Sequence, residues 1–164
     1  MELPGGWVRV FGTAAARRVM ELSQAEADLL LRMEKRAREE REYNLPGLGK
    51  RLNVPIESFD GREHFHLDLF RGRVSLHRRT FQHRARQTVI LARLDFNSPH
   101  LNPDGIQVGV PHLHLYKEGY GDKWAEELPR GWFTNIEDPH AILDDFLRFC
   151  MISQPPPFRG DLFS

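Results

Sequence analysis

The chain has 164 residues, a length that favours a single domain with one hydrophobic core. Its 23 basic and 23 acidic residues cancel, which argues against a chain that binds nucleic acid through overall charge alone. The one cysteine, Cys150, excludes an intramolecular disulfide, and no run of 18 apolar residues or signal-peptide pattern is found. We therefore expect a cytoplasmic protein with no membrane partner.

Both ends of the chain differ from its middle. Residues 1–20 are predicted to be an N-terminal extension, residues 21–153 a single domain, and residues 154–164 a proline-rich C-terminal tail, because Pro155–Pro157 cannot continue a helix. Ser23 and Glu26 have the spacing of a capping box, which predicts a helix that begins there and ends near residue 42.

Five segments have the pattern of β-strands, namely 52–56, 64–70, 73–79, 88–96 and 112–117. Arg71 and Gly72 occupy the position of a two-residue hairpin loop. A second helix is predicted after Asp138, with Pro139 in its first position. We expect an α+β fold: a single antiparallel sheet of about five strands with two helices packed on its apolar face.

The last predicted strand carries the residues most suited to chemistry. Alternation places His112, His114 and Tyr116 on one face of this strand, opposite two leucines. The loop that follows contains two glycines and Lys123. Functional residues concentrate in such loops, so this stretch is the predicted site.

Charge is distributed unevenly along the chain. Residues 71–93 contain seven arginines and no acid, whereas residues 118–145 contain eight acids and two bases. The middle of the chain is therefore predicted to form a basic surface for nucleic acid or an acidic protein partner.

These motifs resemble an uncharacterised family of bacterial and phage proteins, a domain of unknown function, from about residue 23 to 152. The similar blocks are the Arg-Gly-Arg hairpin at 71–73, the Arg/Gln-rich segment 79–86, Leu-Asp at 94–95, the loop 100–105, and Pro-His-Leu-His-x-Tyr followed by residues 118–125. The resemblance implies an association with phage and mobile elements, and no particular activity.

The first hypothesis is a small metal-independent ribonuclease of the toxin or defence type, as in toxin–antitoxin systems, with no cofactor. RNA cleavage needs a base, an acid and positive charge on the phosphate. The predicted catalytic residues are His112, His114, Tyr116 and Lys123, and the predicted phosphate- or nucleic-acid-binding residues are Arg79, Arg84, Arg86 and His100. RNA is favoured over DNA.

Two alternatives remain open. His-x-His on a strand is a recurring divalent-metal element, and a metal-binding hydrolase would complete it with Asp68, Asp95, Asp104, Glu118 or His100. A non-enzymatic binding or inhibitor protein would instead use the arginine-rich face without chemistry.

Overall fold

The computed structural model describes residues 21–75 and 77–162. The predicted extension 1–20 lies outside the described residues, as does Leu76 of the predicted third strand. The helices are α1 (Gln24–Arg32) and α2 (Pro139–Phe149). The strands are β1 (Lys35–Ala37), β2 (Tyr43–Asn44), β3 (Arg51–Ser58), β4 (His64–Arg71), β5 (Arg79–Ala85), β6 (Val89–Asp95), β7 (His100–Leu101), β8 (Gln107–Val108), β9 (His112–Leu115), β10 (Ala125–Glu126), β11 (Ile152–Gln154) and β12 (Phe158–Arg159).

Eight of these strands form one mixed sheet in the order β10-β9-β6-β5-β4-β3-β1-β11. Neighbouring strands within this sheet are antiparallel, except for β1 and β11, which run parallel to each other. Two further pairs, β2 with β12 and β7 with β8, form separate two-stranded sheets. The predicted single antiparallel sheet of about five strands is therefore wrong, although the fold remains α+β.

The sequence did not predict three strands of the large sheet, and these three depend on their neighbours in the folded chain for their strand conformation. Strands β1, β10 and β11 have only two or three residues, too few for an alternating pattern to be visible in the sequence. Lys35 in β1 pairs with Ser58 on one side and Ile152 on the other. This pairing also ends α1 at Arg32, where the sequence predicted a helix as far as residue 42.

The third predicted strand, 73–79, was placed too early. The strand that follows β4 and returns alongside it is β5, in which alternate residues Arg79, Phe81, His83 and Ala85 are buried. Two of those four buried side chains are an arginine and an imidazole, so the buried face of β5 does not read as apolar. Judged by its composition, segment 79–85 therefore resembles a loop between strands more than a strand.

Both helices begin as predicted. The Ser23 hydroxyl accepts a hydrogen bond from the Glu26 N–H (3.2 Å), and the Glu26 carboxylate accepts one from the Ser23 N–H (3.0 Å), completing the capping box. The Asp138 carboxylate caps α2 by accepting from the His140 N–H at 2.9 Å. Neither helix of the described residues is long and apolar enough to cross a membrane.

The helices and the sheet enclose one hydrophobic core. A cross-strand row of buried side chains runs through Leu69, Phe81, Leu94 and Leu113. Phe146 of α2 packs on this row, with its ring centroid 6.1 Å from that of Phe81. Residues 154–162 return to the same core: they supply β12, and the side chain of Leu162 is buried there.

Lys35 and His83 are polar residues whose side chains are buried within this core. Lys35 donates hydrogen bonds from Nζ to the carbonyls of Leu31 (2.9 Å), Met33 (2.6 Å) and Cys150 (2.9 Å). His83 stacks on Phe65 at 5.2 Å, and neither of its ring nitrogens has a hydrogen-bond partner among the described residues. Lys35 is thus satisfied by the backbone, whereas His83 is not.

Candidate functional site

The polar face of the sheet, opposite the helices, brings β6 and β9 together at the predicted site. Asp95 pairs with His112 and Arg93 pairs with His114. Because Leu94 and Leu113 point into the core, the four polar side chains share the other face. Strand pairing thus places two imidazoles beside a carboxylate and a guanidinium.

A third histidine, His100 of β7, joins this pair. The His100 ring centroid lies 4.6 Å from that of His114 and 5.9 Å from that of His112, and the His112 and His114 centroids are 4.8 Å apart. His100 is half-buried, whereas His112 and His114 are each only 1% exposed. His100 is therefore the most accessible of the three rings.

Backbone carbonyls fix the tautomer of each ring. Nδ1 of His112 lies 2.8 Å from the Gly109 carbonyl oxygen, and Nδ1 of His114 lies 2.8 Å from that of Asp122. Nε2 of His100 lies 2.8 Å from the carbonyl oxygen of Lys123. Since a carbonyl only accepts, these nitrogens carry the hydrogen, and in the neutral ring the opposite nitrogen keeps its lone pair. Histidines that bind metals are oriented in this way.

The glycine-containing loop after β9 supplies two of these carbonyls, those of Asp122 and Lys123. Gly119 (φ 79°) and Gly121 (φ 61°) both have the left-handed conformation that favours glycine. The turn they allow returns Asp122 to the site, where its carboxylate forms an ion pair with Arg93. Arg93 Nη2 in turn lies 3.2 Å from Nε2 of His114.

Three side chains in the cluster can hold one cation. The potential ligand atoms of Asp95, His112 and His114 all lie within 4.8 Å of one another. One Asp95 oxygen accepts a hydrogen bond from the Asn97 N–H (2.8 Å), which orients the carboxylate. Two imidazoles and a carboxylate are a donor set that divalent first-row metals favour, including zinc in hydrolases.

Burial sets the protonation of the central histidine. Burial and the neighbouring Arg93 guanidinium lower the pKa of His114 to about 3, so the ring is neutral at physiological pH. A metal ligand must be a neutral imidazole. A general acid with so low a pKa would be almost fully deprotonated at neutral pH, so the predicted acid–base role suits this ring poorly.

An open groove of about 780 Å³ crosses the same polar face and ends at the cluster. Arg93, Asp95 and Asn97 lie at the cluster end. Further along, the groove is lined by the basic or amide side chains Arg51, Asn53, Gln82 and Arg84. An extended polar ligand lying in the groove would reach Asp95.

The structure gives two of the predicted catalytic residues other contacts. The Tyr116 hydroxyl donates to the Leu22 carbonyl (2.7 Å) and accepts from the Leu22 N–H (2.9 Å), which fixes the segment before α1. Lys123 is exposed and contacts the cluster through its backbone carbonyl. Of the four predicted catalytic side chains, His112 and His114 are the two that the cluster contains.

The predicted phosphate-binding residues are spread over several surfaces. His100 joins the cluster, and Arg84 lies on the groove but forms a bidentate ion pair with Asp68 (Nη2–Oδ1 3.0 Å). Arg86 occupies the β5–β6 turn at φ 45°, close enough to Glu26 of α1 to lower that carboxyl pKa as a minor cause, after hydrogen bonds from Ser23. Arg79 is buried on the core side of the sheet.

Sequence reasoning missed Arg93 and the role of Asp122. Segment 88–96 is mostly apolar, so its few polar positions do not indicate a functional face. The available signal was the two-residue spacing of Arg93 and Asp95, which are half-buried among buried aliphatic residues. From the sequence, Asp95 is one of five residues that could complete a metal site.

The fold and the site together define an α+β protein with a histidine–carboxylate cluster on the polar face of an eight-stranded mixed sheet. The chain belongs to the DUF6978 family, a family of unknown function, whose sequence profile matches residues 22–152. The resemblance to an uncharacterised family is thereby confirmed. No curated protein and no solved structure shows significant similarity to the chain.

Proposed function

We propose that this protein is a metal-dependent hydrolase that cleaves phosphodiester bonds, with RNA as the favoured substrate. The observation that supports the metal is the convergence of Asp95, His112 and His114 within 4.8 Å. Both histidines donate their Nδ1 hydrogen to backbone carbonyls, so the Nε2 atom of each ring carries the lone pair that a metal would bind. A divalent transition metal held by three protein ligands keeps a position open for water.

A metal held here would lower the pKa of a bound water and polarise a phosphoryl oxygen. Asp95 and the two buried histidines would hold the ion, and the two neutral imidazoles would contribute no charge of their own. His100, the more accessible ring, carries its lone pair on Nδ1 and exchanges a proton with the substrate. Arg93 lies between the cluster and the groove and contacts the phosphate.

The groove supports a polar, extended substrate. Three arginines, Arg51, Arg84 and Arg93, and several amide or hydroxyl side chains line it, and these groups can contact successive phosphates or sugars. The Arg84 guanidinium is neutralised by Asp68, so the groove discriminates through hydrogen bonding more than through charge.

The test is cleavage of a labelled RNA by the full chain, with and without chelator. We expect chelator to abolish cleavage and added Zn²⁺ or Mn²⁺ to restore it, and Asp95→Asn to lower kcat at least about 100-fold through loss of a ligand. Asp144→Asn, on the exposed face of α2, is the matched control and should behave as the unmodified chain. Cleavage that persists in chelator would contradict the metal role.

A second candidate is the metal-free ribonuclease, which the contact between Arg93 Nη2 and His114 Nε2 at 3.2 Å favours. In that mechanism Arg93 holds the phosphate next to a histidine that exchanges protons. The low pKa and 1% exposure of His114 count against it.

Replacing Arg93 separates the two candidates. The Arg93 guanidinium competes with a metal for Nε2 of His114 and repels the cation, so we expect Arg93→Met to tighten Zn²⁺ binding about tenfold. Isothermal titration calorimetry measures this change. Unchanged or weaker Zn²⁺ binding by a folded Arg93→Met protein would indicate that His114 does not bind the metal.

A further inference from the structure

A second cavity, of about 300 Å³, lies on the other side of the sheet from the cluster, between β5, the segment before β9, and the start of α2. Its walls are mainly apolar. They are formed by Phe96, Val110, Pro111, Ile136 and Leu162, with Arg79 as the buried cation. None of the roles proposed above uses this cavity.

Arg79 is the unusual feature of the cavity. The residue is only 6% exposed, and its Nε atom is buried without a hydrogen-bond partner among the described residues. Its guanidinium lies over the Phe96 ring, 4.5 Å from the centroid, and forms no ion pair within the described part of the chain. A buried charge without a counter-charge is costly, and native structures almost always supply a partner.

The neighbouring charges do not supply that partner. Arg71 is directly opposite Arg79 on β4, so the nearest strand adds a second cation. Burial and Arg71 lower the pKa of Arg79, while Glu137 and Asp138 act in the opposite direction from beyond ion-pairing distance. Among residues 21–75 and 77–162, no negative charge is therefore in contact with the guanidinium.

We infer that this cavity binds a small apolar monocarboxylate, whose carboxylate pairs with Arg79 and whose hydrocarbon part fills the space between Phe96 and Ile136. A guanidinium binds a carboxylate through two parallel hydrogen bonds, a geometry that fits one planar anion. The apolar walls exclude ligands that are anionic throughout. At about 30 Å³ for each water-sized unit, the volume accommodates about ten non-hydrogen atoms.

Glu137 lines the cavity as well and is exposed. An exposed carboxylate at the opening is hydrated and screened, so it weakens anion entry without neutralising Arg79. It also disfavours dianions such as phosphate more than monoanions, because the repulsion scales with charge.

The experiment is titration calorimetry of the full chain with hexanoate, with hexanamide as its neutral isostere, and with inorganic phosphate. We expect hexanoate to bind with a Kd of about 1 mM or tighter, and hexanamide and phosphate to bind at least about tenfold more weakly. Arg79→Met, which keeps the chain length without the charge, should lose at least about tenfold in hexanoate affinity. Arg86→Met, in the β5–β6 turn, should lose nothing.

A second variant tests the same cavity independently, in case Arg79→Met does not fold. Ile136 is 42% exposed, so Ile136→Trp fills the cavity from its rim without disturbing the core, and it should also abolish hexanoate binding. The inference is overturned if hexanoate does not bind, if hexanamide or phosphate binds equally well, or if Ile136→Trp retains full affinity. These outcomes do not depend on RNA cleavage. The carboxylate site and the proposed hydrolase activity can therefore be disproved independently of each other.

Discussion

His114→Ala is expected to abolish tight binding of Zn²⁺. His114, His112 and Asp95 are the three protein ligands that the sheet brings together, and two ligands cannot define the site. Loss of a supporting residue alone costs about 10- to 100-fold in metal affinity, so loss of a ligand should cost at least about 100-fold.

Thermal unfolding gives a second measurement of the same effect. At a free Zn²⁺ concentration 100 times the Kd, binding stabilises the folded chain by about 2.7 kcal/mol, which corresponds to about 5–10 °C in Tm for a chain of this size. His114→Ala should show no such increase. His64→Ala, which removes an exposed histidine from β4, is the matched control and should keep the full increase. An equal Zn²⁺ response in His114→Ala and the unmodified chain would place the metal elsewhere.

His83→Phe is expected to make the protein more stable, and to do so more at pH 5 than at pH 7. Burial and the nearby Lys35 lower the pKa of His83 to about 3 in the folded state, against about 6.5 when unfolded. Between these values the unfolded chain binds a proton that the folded chain does not. The His83 contribution to the free energy of unfolding therefore falls as pH decreases from about 6.5 to 3, by about 2 kcal/mol already at pH 5.

Phenylalanine removes both the titrating group and the two ring nitrogens that lack partners, and it keeps an aromatic ring against Phe65. Any packing cost of the larger ring is the same at both pH values, so the pH-dependent difference isolates the titration. Urea unfolding of both proteins at pH 7 and pH 5 measures it, with His64→Phe as the exposed control. Parallel loss of stability in His83→Phe and the unmodified chain would contradict a protonation-linked cost at His83.

Local signals in the sequence were sufficient for the elements whose pattern is contained in one segment. The capping box at Ser23, the Asp138–Pro139 start and the alternation of β4 and β9 each predicted the observed element. Elements that depend on partners were not predictable in this way. Lys35 is an example, because its burial depends on carbonyls from α1 and from Cys150, which is 115 residues away.

The same distinction holds for the candidate site. Alternation within β9 was enough to place His112 and His114 on one face. It could not show that β6 is the neighbouring strand, and therefore that Arg93 and Asp95 face them. Nor could it show that Arg79, chosen as a phosphate ligand from the charge of its segment, would be buried on the opposite side of the sheet.

The two ends of the large sheet have a consequence for association between molecules. Strand β10 has two residues, and β11 has three and is followed at once by the prolines at 155–157. Unpaired edge strands can recruit further chains and seed aggregates, and short or proline-flanked edges are the usual protection. Both edges of the eight-stranded sheet are therefore protected against pairing with strands of other molecules.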